Sequence, residues 1–244
     1  MSDLSVENIE RAVCAQYQPI VDLADDRFVG CEALARWRNE DGVLGSIEPH
    51  ADVIEGDEVL ATALTTRMLR CVNRDLLDLL VRRPAFYVSI NLPPIILGQG
   101  QLRPVFENLG IAYRMPQLVG EITERRALDD TGRAAIREIR DMGSRIALDD
   151  FGTGKANLQE LIGLEVDILK IDRSFVIKLG EDRLAERLVR GIAALAGVLR
   201  VDMVAEGVET REQALFLRAI GVEKGQGWLW SKALDAADLI AAVG

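Results

Sequence analysis

The chain has 244 residues, a formal net charge of −10 and a hydrophobic fraction of 49%, so it carries enough apolar matter for a full core, and its length suits one α/β barrel, a single domain over residues 1–244, better than two small domains. The acidic balance opposes a surface for a DNA or RNA polymer or for anionic lipid, both of which are held mainly by clustered Lys and Arg. No apolar run approaches the ~20 residues a bilayer span needs, and the start MSDLSVENIERAV is polar, so the expectation is a cytoplasmic chain without a membrane segment.

Taken in chain order, two apolar runs of strand length come first, at 17–22 and 28–36. Only a short polar stretch separates them, and a parallel crossover needs a dozen or more residues, so the pair must be an antiparallel hairpin. Residues 57–82 then read as a helix, with Leu60, Leu64, Met68, Leu69 and Leu76 on or near one face. Further strands are expected at 86–91, 118–123, 145–150, 166–171, 202–206 and 225–230, with helical patterns at 131–142, 183–198 and 211–220. Repeated β then α specifies a parallel sheet. The predicted fold class is therefore α/β, a (β/α)8 TIM-barrel-like fold with the first strand antiparallel.

Cys14, Cys31 and Cys71 lack C-x-x-C spacing and read as small core residues. The one histidine, His50, has no partner for a metal site or a Ser/His/Asp arrangement and reads as a surface residue.

In an α/β barrel the chemistry collects at the C-terminal ends of the strands, and here almost every strand places a polar residue there: Glu32, Asn91, Glu121, the adjacent Asp149 and Asp150, Lys170 with Asp172, Glu206, and Gln226. Any one of them has a plain reading as a solvated strand end. Together they imply bound cations, since burying so many carboxylates uncompensated costs several kcal/mol each. Carboxylate and amide oxygens without Cys or His are hard ligands that favour Mg²⁺ or Mn²⁺. Asp149 and Asp150, where the strand stops alternating, suit a carboxylate shared by two ions, and two such metals suit in-line displacement at phosphorus. Lys170 reads either as a structural ion pair or as the group holding the attacking water or a phosphate oxygen. Arg36, four residues after Glu32 on the same face, suits a bidentate phosphate clamp. The run DDFGTGKANL contains glycines for a tight turn.

The segments YQPIVDL, GCEALARW, SINL, EITE, IALDDFGTG, VDILKIDRSFV, VAEGVET and QGWLWS resemble, in order and over about 17–239, the EAL family of cyclic di-GMP phosphodiesterases. The resemblance implies the barrel with a reversed first strand and a two-metal hydrolysis of one phosphodiester bond to linear pGpG, with two divalent cations, Mg²⁺ or Mn²⁺, and a metal-activated water. It implies Glu32, Asn91, Glu121 and Asp149 as ligands of one cation, Asp150 serving the second, and Glu206 a further ligand. Glu32, Lys170 and Glu206 form the catalytic set. Gln18, Arg36, Asp172 and Gln226 match substrate-contacting positions, and Glu124 and Glu209 supporting carboxylates. A homodimer, and a regulatory domain or partner outside this chain, are also implied.

Departures cluster around the substrate. Lys155, Ala156 and Asn157 replace the usual Tyr and two serines of the loop at 151–158, Lys232 and Ala233 replace Arg and Pro, and the stretch 46–60 is shortened, which reshapes part of the pocket wall. None removes a metal-ligand position. Two alternatives stay open at this level: an EAL domain that receives cyclic di-GMP without cutting it, and a barrel hydrolase acting on another phosphodiester.

Overall fold

A computed structural model describes residues 4–96, 102–123, 130–152 and 165–244. The chain opens with helix α1 (Val6–Ala12) and passes directly into β1 (Val13–Asp22), which turns back on β2 (Phe28–Arg38). The pair is antiparallel, with Gln18 opposite Glu32, as the short polar connection requires. A short β3 (Leu44–Ser46) folds back on the end of β2, followed by α2 (Ala51–Glu55) and the long α3 (Glu58–Arg82).

The rest supplies β4 (Tyr87–Asn91), α4 (Leu102–Asn108), β5 (Leu118–Thr123), α5 (Asp130–Asp141), β6 (Arg145–Phe151), β7 (Ile168–Ile171), α6 (Arg173–Val176), α7 (Arg183–Leu199), β8 (Asp202–Ala205), α8 (Arg211–Ala219), β9 (Lys224–Gly225) and α9 (Ala236–Val243). From β2 through β4, β5, β6, β7, β8 and β9 each strand pairs parallel with the next. The reversed β1 joins β9 to β2 and closes the ring. The structure is thus an eight-strand barrel with β3 appended, and the expected fold class holds.

Helix boundaries follow local chemistry. The Asp57 side chain accepts from the amides of Val59 and Leu60 and starts α3, whose buried Ala61, Met68, Leu69, Val72, Leu76 and Leu79 recur at helical spacing. Asp182 caps α7 in the same way, and Thr210 with Gln213 forms a capping box on α8. At the far end of α3, the buried Gln117 amide lies within 3.1 Å of the carbonyls of Leu80, Arg83 and Phe86, which ties that terminus to the entrance of β5. No helix among the described residues is long and apolar enough to cross a membrane.

One end of the barrel interior is a dry plug of Ile20, Tyr87, Val119, Ala147, Ile168 and Val204. A Cβ on Gly30 would come within 2.8 Å of the Tyr87 ring, so a glycine there is what lets the ring fill the axis. Because side chains alternate along a strand, the residues two positions further on rise above the plug: Gln18 and Lys170 lie on the same faces as Ile20 and Ile168, and Glu121 and Asp149 on those of Val119 and Ala147.

Two expectations need correction. The strand predicted at 225–230 is only Lys224–Gly225, and the apolar WLW that suggested it is a turn. Gly227 packs backbone to backbone against Val208, where a Cβ would stand 2.1 Å from the Val208 oxygen. Meanwhile Leu229 N donates to Val208 O at 3.0 Å, so the segment spends its hydrogen bonds on a loop and not on a ladder. The strand predicted from 166 begins at Ile168. Sequence periodicity did not foresee α1, β3, α2, α4, α6 and α9, which are too short to show a period.

Candidate active site

The C-terminal mouth of the barrel opens into a cavity of about 630 Å³ lined by, among others, Gln18, Glu32, Arg36, Asn91, Asp149, Asp150, Glu206, Glu209 and Gln226. The 46–55 stretch forms one wall through Ser46, Ile47, Glu48, Ala51, Ile54 and Glu55, which is the segment the sequence marked as altered.

At the floor, Lys170 is 1% exposed, and its ammonium lies 2.7 Å from Glu206, 2.8 Å from Glu121, 3.2 Å from Asp149 and 3.4 Å from Glu32. Burial opposes the charged ammonium, but Asp149, Glu121, Glu206 and Glu32 outweigh it and raise its pKa well above that of an ordinary lysine. Glu32 is buried too; Lys170 and hydrogen bonds from Gln226 Nε2 at 2.5 Å and Asn91 Nδ2 at 3.4 Å hold its carboxyl below the usual range against that burial. The other acids move the other way, because burial is the larger influence on each of them. Burial and the Glu32 charge push Glu121 well up, burial and the adjacent Asp149 push Asp150 to about 6, and burial pushes Glu206 to about 8 despite Lys170.

Asp149 and Asp150 both reach the cavity because β6 is irregular there. The register with β7 shifts between Leu148 and Phe151, and Asp150 adopts φ of 56°, a left-handed conformation that Asp tolerates better than most residues. The Asp150 amide donates to Asp149 Oδ1 at 3.0 Å.

The donor set fits divalent cations. Carboxylate oxygens of Asp149, Asp150 and Glu206 lie within 4.8 Å of one another, all are hard oxygen ligands, and one ammonium faces the acids of this floor. Gln226 Oε1 is buried with no hydrogen-bond partner among the described residues, an acceptor available to a ligand or to water.

Other expected site residues divide. Arg36 donates from Nε to Gln16 Oε1 at 2.9 Å and from Nη1 to Ala35 O at 3.1 Å, so it is held at the cavity wall. Gln18 Oε1 accepts from Gln226 Nε2 at 3.4 Å. Asp172 does not line the cavity; its carboxylate caps α6, accepting from the Ser174 amide at 3.0 Å and from the Ser174 hydroxyl. Glu124 and residues 153–158 of the loop, including Lys155, Ala156 and Asn157, lie outside the described residues. Among the cavity residues that escaped the sequence reading are Arg173 and the 60% exposed Trp228. Each directly follows or nearly follows a residue that was singled out, Asp172 and Gln226.

A family model described as EAL domain matches residues 2–233. The chain is 39% identical over 240 residues to a probable cyclic di-GMP phosphodiesterase, PdeB, of Escherichia coli K12, covering 97% of this chain and 45% of that one. It is 34% identical over 231 residues to the cyclic di-GMP phosphodiesterase NbdA of Pseudomonas aeruginosa, covering 91% and 29%. It therefore spans less than half the length of either relative. Among solved structures, the PaMucR phosphodiesterase in complex with c-di-GMP superposes with a TM-score of 0.84 at 29% identity, covering 94% of both chains. The manganese and cy-diGMP complex of Klebsiella pneumoniae BlrP1 gives 0.76 at 26% identity, covering 91% of this chain and 56% of that one.

Proposed function

The chain belongs to the EAL domain family, and on that premise we propose that it is a metal-dependent hydrolase that opens one phosphodiester bond of cyclic di-GMP to give linear pGpG. The observation that carries the reading is the convergence of Asp149, Asp150 and Glu206 within 4.8 Å beside a cavity of about 630 Å³, a volume suited to a small organic ligand. The relatives and neighbours named above, which are called phosphodiesterases or hold the dinucleotide, support the substrate.

Glu32, Asn91, Glu121 and Asp149 would hold one divalent cation, with Asp149 shared, Asp150 serving a second and Glu206 a further ligand. Mg²⁺ or Mn²⁺ bound there supplies Lewis acidity at phosphorus and lowers the pKa of water.

The chain's own residues orient the reactants. Lys170, among four carboxylates, would donate to the attacking water and hold its oxygen in line with the scissile bond; an in-line attack inverts the phosphorus and needs no covalent enzyme intermediate. Glu32 is fixed by three donors, Lys170, Gln226 and Asn91, so its oxygens are aimed before any ligand arrives. Arg36 offers its remaining N–H groups to phosphate, and Gln18 and Gln226 offer amides to the substrate edge. Asp172 acts through the start of α6, which it caps, and Glu209 stands at the rim. The relatives' additional length supports a regulatory domain or partner acting on this one. A homodimer belongs to the same proposal and is tested by sedimentation velocity.

The deciding experiment is conversion of cyclic di-GMP to pGpG by the purified chain with Mg²⁺ or Mn²⁺ and again with excess EDTA. Metal-dependent product is expected. Tight binding of the intact messenger without product would make the protein a receptor and overturn the proposal.

A further inference from the structure

Seven acidic residues and two arginines line the cavity among the described residues. Arg36 is held by Gln16 and by a carbonyl of its own strand. Arg173 differs: it is exposed, and its guanidinium has no hydrogen-bond or ion-pair partner among the described residues despite the acids sharing its cavity. A guanidinium with no partner among the described residues has its planar fork of donors available for an anion entering the cavity.

Its place in the ring says which anion. Arg36 is on β2 and Arg173 opens α6 two residues after the end of β7, and these strands are four apart whichever way the eight-strand ring is counted. The two arginines therefore arise on opposite sides of the mouth. Asp149 and Asp150 end β6 and Glu206 follows β8, the two neighbours of β7. The backbone and Cβ of Arg173 are packed on Gly207, where an added Cβ would stand 2.6 Å from Arg173 Cβ, immediately after Glu206. Arg173 thus stands on the side of the acid cluster and Arg36 across from it. A cyclic dinucleotide likewise carries its two phosphates on opposite sides of its ring.

We propose that Arg173 binds the phosphate that is cut and retains it afterwards as the 5′-terminal phosphate of the linear product, while the uncut phosphate faces Arg36. In the reaction, water adds to phosphorus, the bond from phosphorus to the 3′ oxygen breaks, and that oxygen leaves as a hydroxyl after taking a proton. The phosphate stays on the 5′ oxygen as a monoester and gains an ionisable oxygen, so its charge rises as the guanidinium holds it. This assignment rests on the phosphodiesterase reading.

The test crosses the arginine with the phosphate. Calorimetry on the full chain in Mg²⁺ would compare pGpG with GpG, which lacks the 5′-phosphate, for the parent, Arg173→Gln and Arg173→Lys. The parent is expected to prefer pGpG; Arg173→Gln should reduce that preference about tenfold or more, as loss of a charge-assisted hydrogen bond predicts, and Arg173→Lys should retain part of it. Binding of GpG should be unchanged across the three. A parent preference that persists undiminished in Arg173→Gln overturns the assignment and leaves the phosphodiesterase reading standing. A parent that binds neither dinucleotide and does not turn over cyclic di-GMP overturns both.

Discussion

Asp149 and Asp150 are consecutive, yet both line the same cavity, because Asp150 takes φ of 56° where β6 slips register against β7. Strand geometry would send one of the two away from the mouth, so the local strain is what brings an adjacent pair of carboxylates to one cavity. Glycine adopts this conformation without penalty. Asp150→Gly should therefore raise stability by about 1 kcal/mol, a few degrees in melting temperature, while abolishing metal-dependent turnover. Thermal unfolding with EDTA, paired with an activity assay, reads both; a variant that melts lower would remove the strain argument.

Glu32→Ala and Asp149→Ala should each eliminate turnover with the fold retained, since both side chains serve the mouth and not the apolar plug or the helix layer. Loss should appear in the catalytic rate, with far-ultraviolet circular dichroism unchanged. Full activity in either variant would refute the site assignment.

Lys170 faces Glu32, Glu121, Asp149 and Glu206 within 3.4 Å, and among these groups it is the cation that offsets their repulsion. In EDTA, Lys170→Met should lose ~3–5 kcal/mol, as expected when a buried charge network loses its counter-charge. Adding Mg²⁺ or Mn²⁺ should restore part of this, because a ligand that binds only the folded state stabilises it by about 2.7 kcal/mol at a hundred times its dissociation constant. Melting temperatures indifferent to divalent cations in both proteins would argue against a metal site.

Asp26 in the β1–β2 turn accepts from Trp230 Nε1 at 2.9 Å and from Arg211 at 2.8 and 3.1 Å, and the indole first, then the guanidinium, hold its carboxyl below the usual value of 3.8. A depressed folded pKa gives stability that is present above the unfolded value and is lost as pH falls through the folded one. The group is exposed, so solvent screening limits the effect to under ~1 kcal/mol. The urea midpoint gap between the parent and Asp26→Asn should thus be small at pH 7 and close below pH 3. A gap that widens in acid would reverse the sign of this account.

The sequence by itself determined the barrel class, the reversed first strand and the strand-end acids of the mouth. Each of these is local: alternation along a strand fixes which face a residue takes, and five residues between two strands leave no route but a hairpin. Residues 225–230 show where locality misleads, since an apolar WLW reads as strand until Val208 is seen to claim its backbone. Only the tertiary structure decided that Lys170 meets Glu32, 138 residues away, that Asp172 turns aside to cap α6, and that Arg173, without a partner among the described residues, stands across the mouth from Arg36. These depend on closure of the ring by β1 between β9 and β2, which sets strand against strand and so brings together side chains that no periodicity along the chain relates.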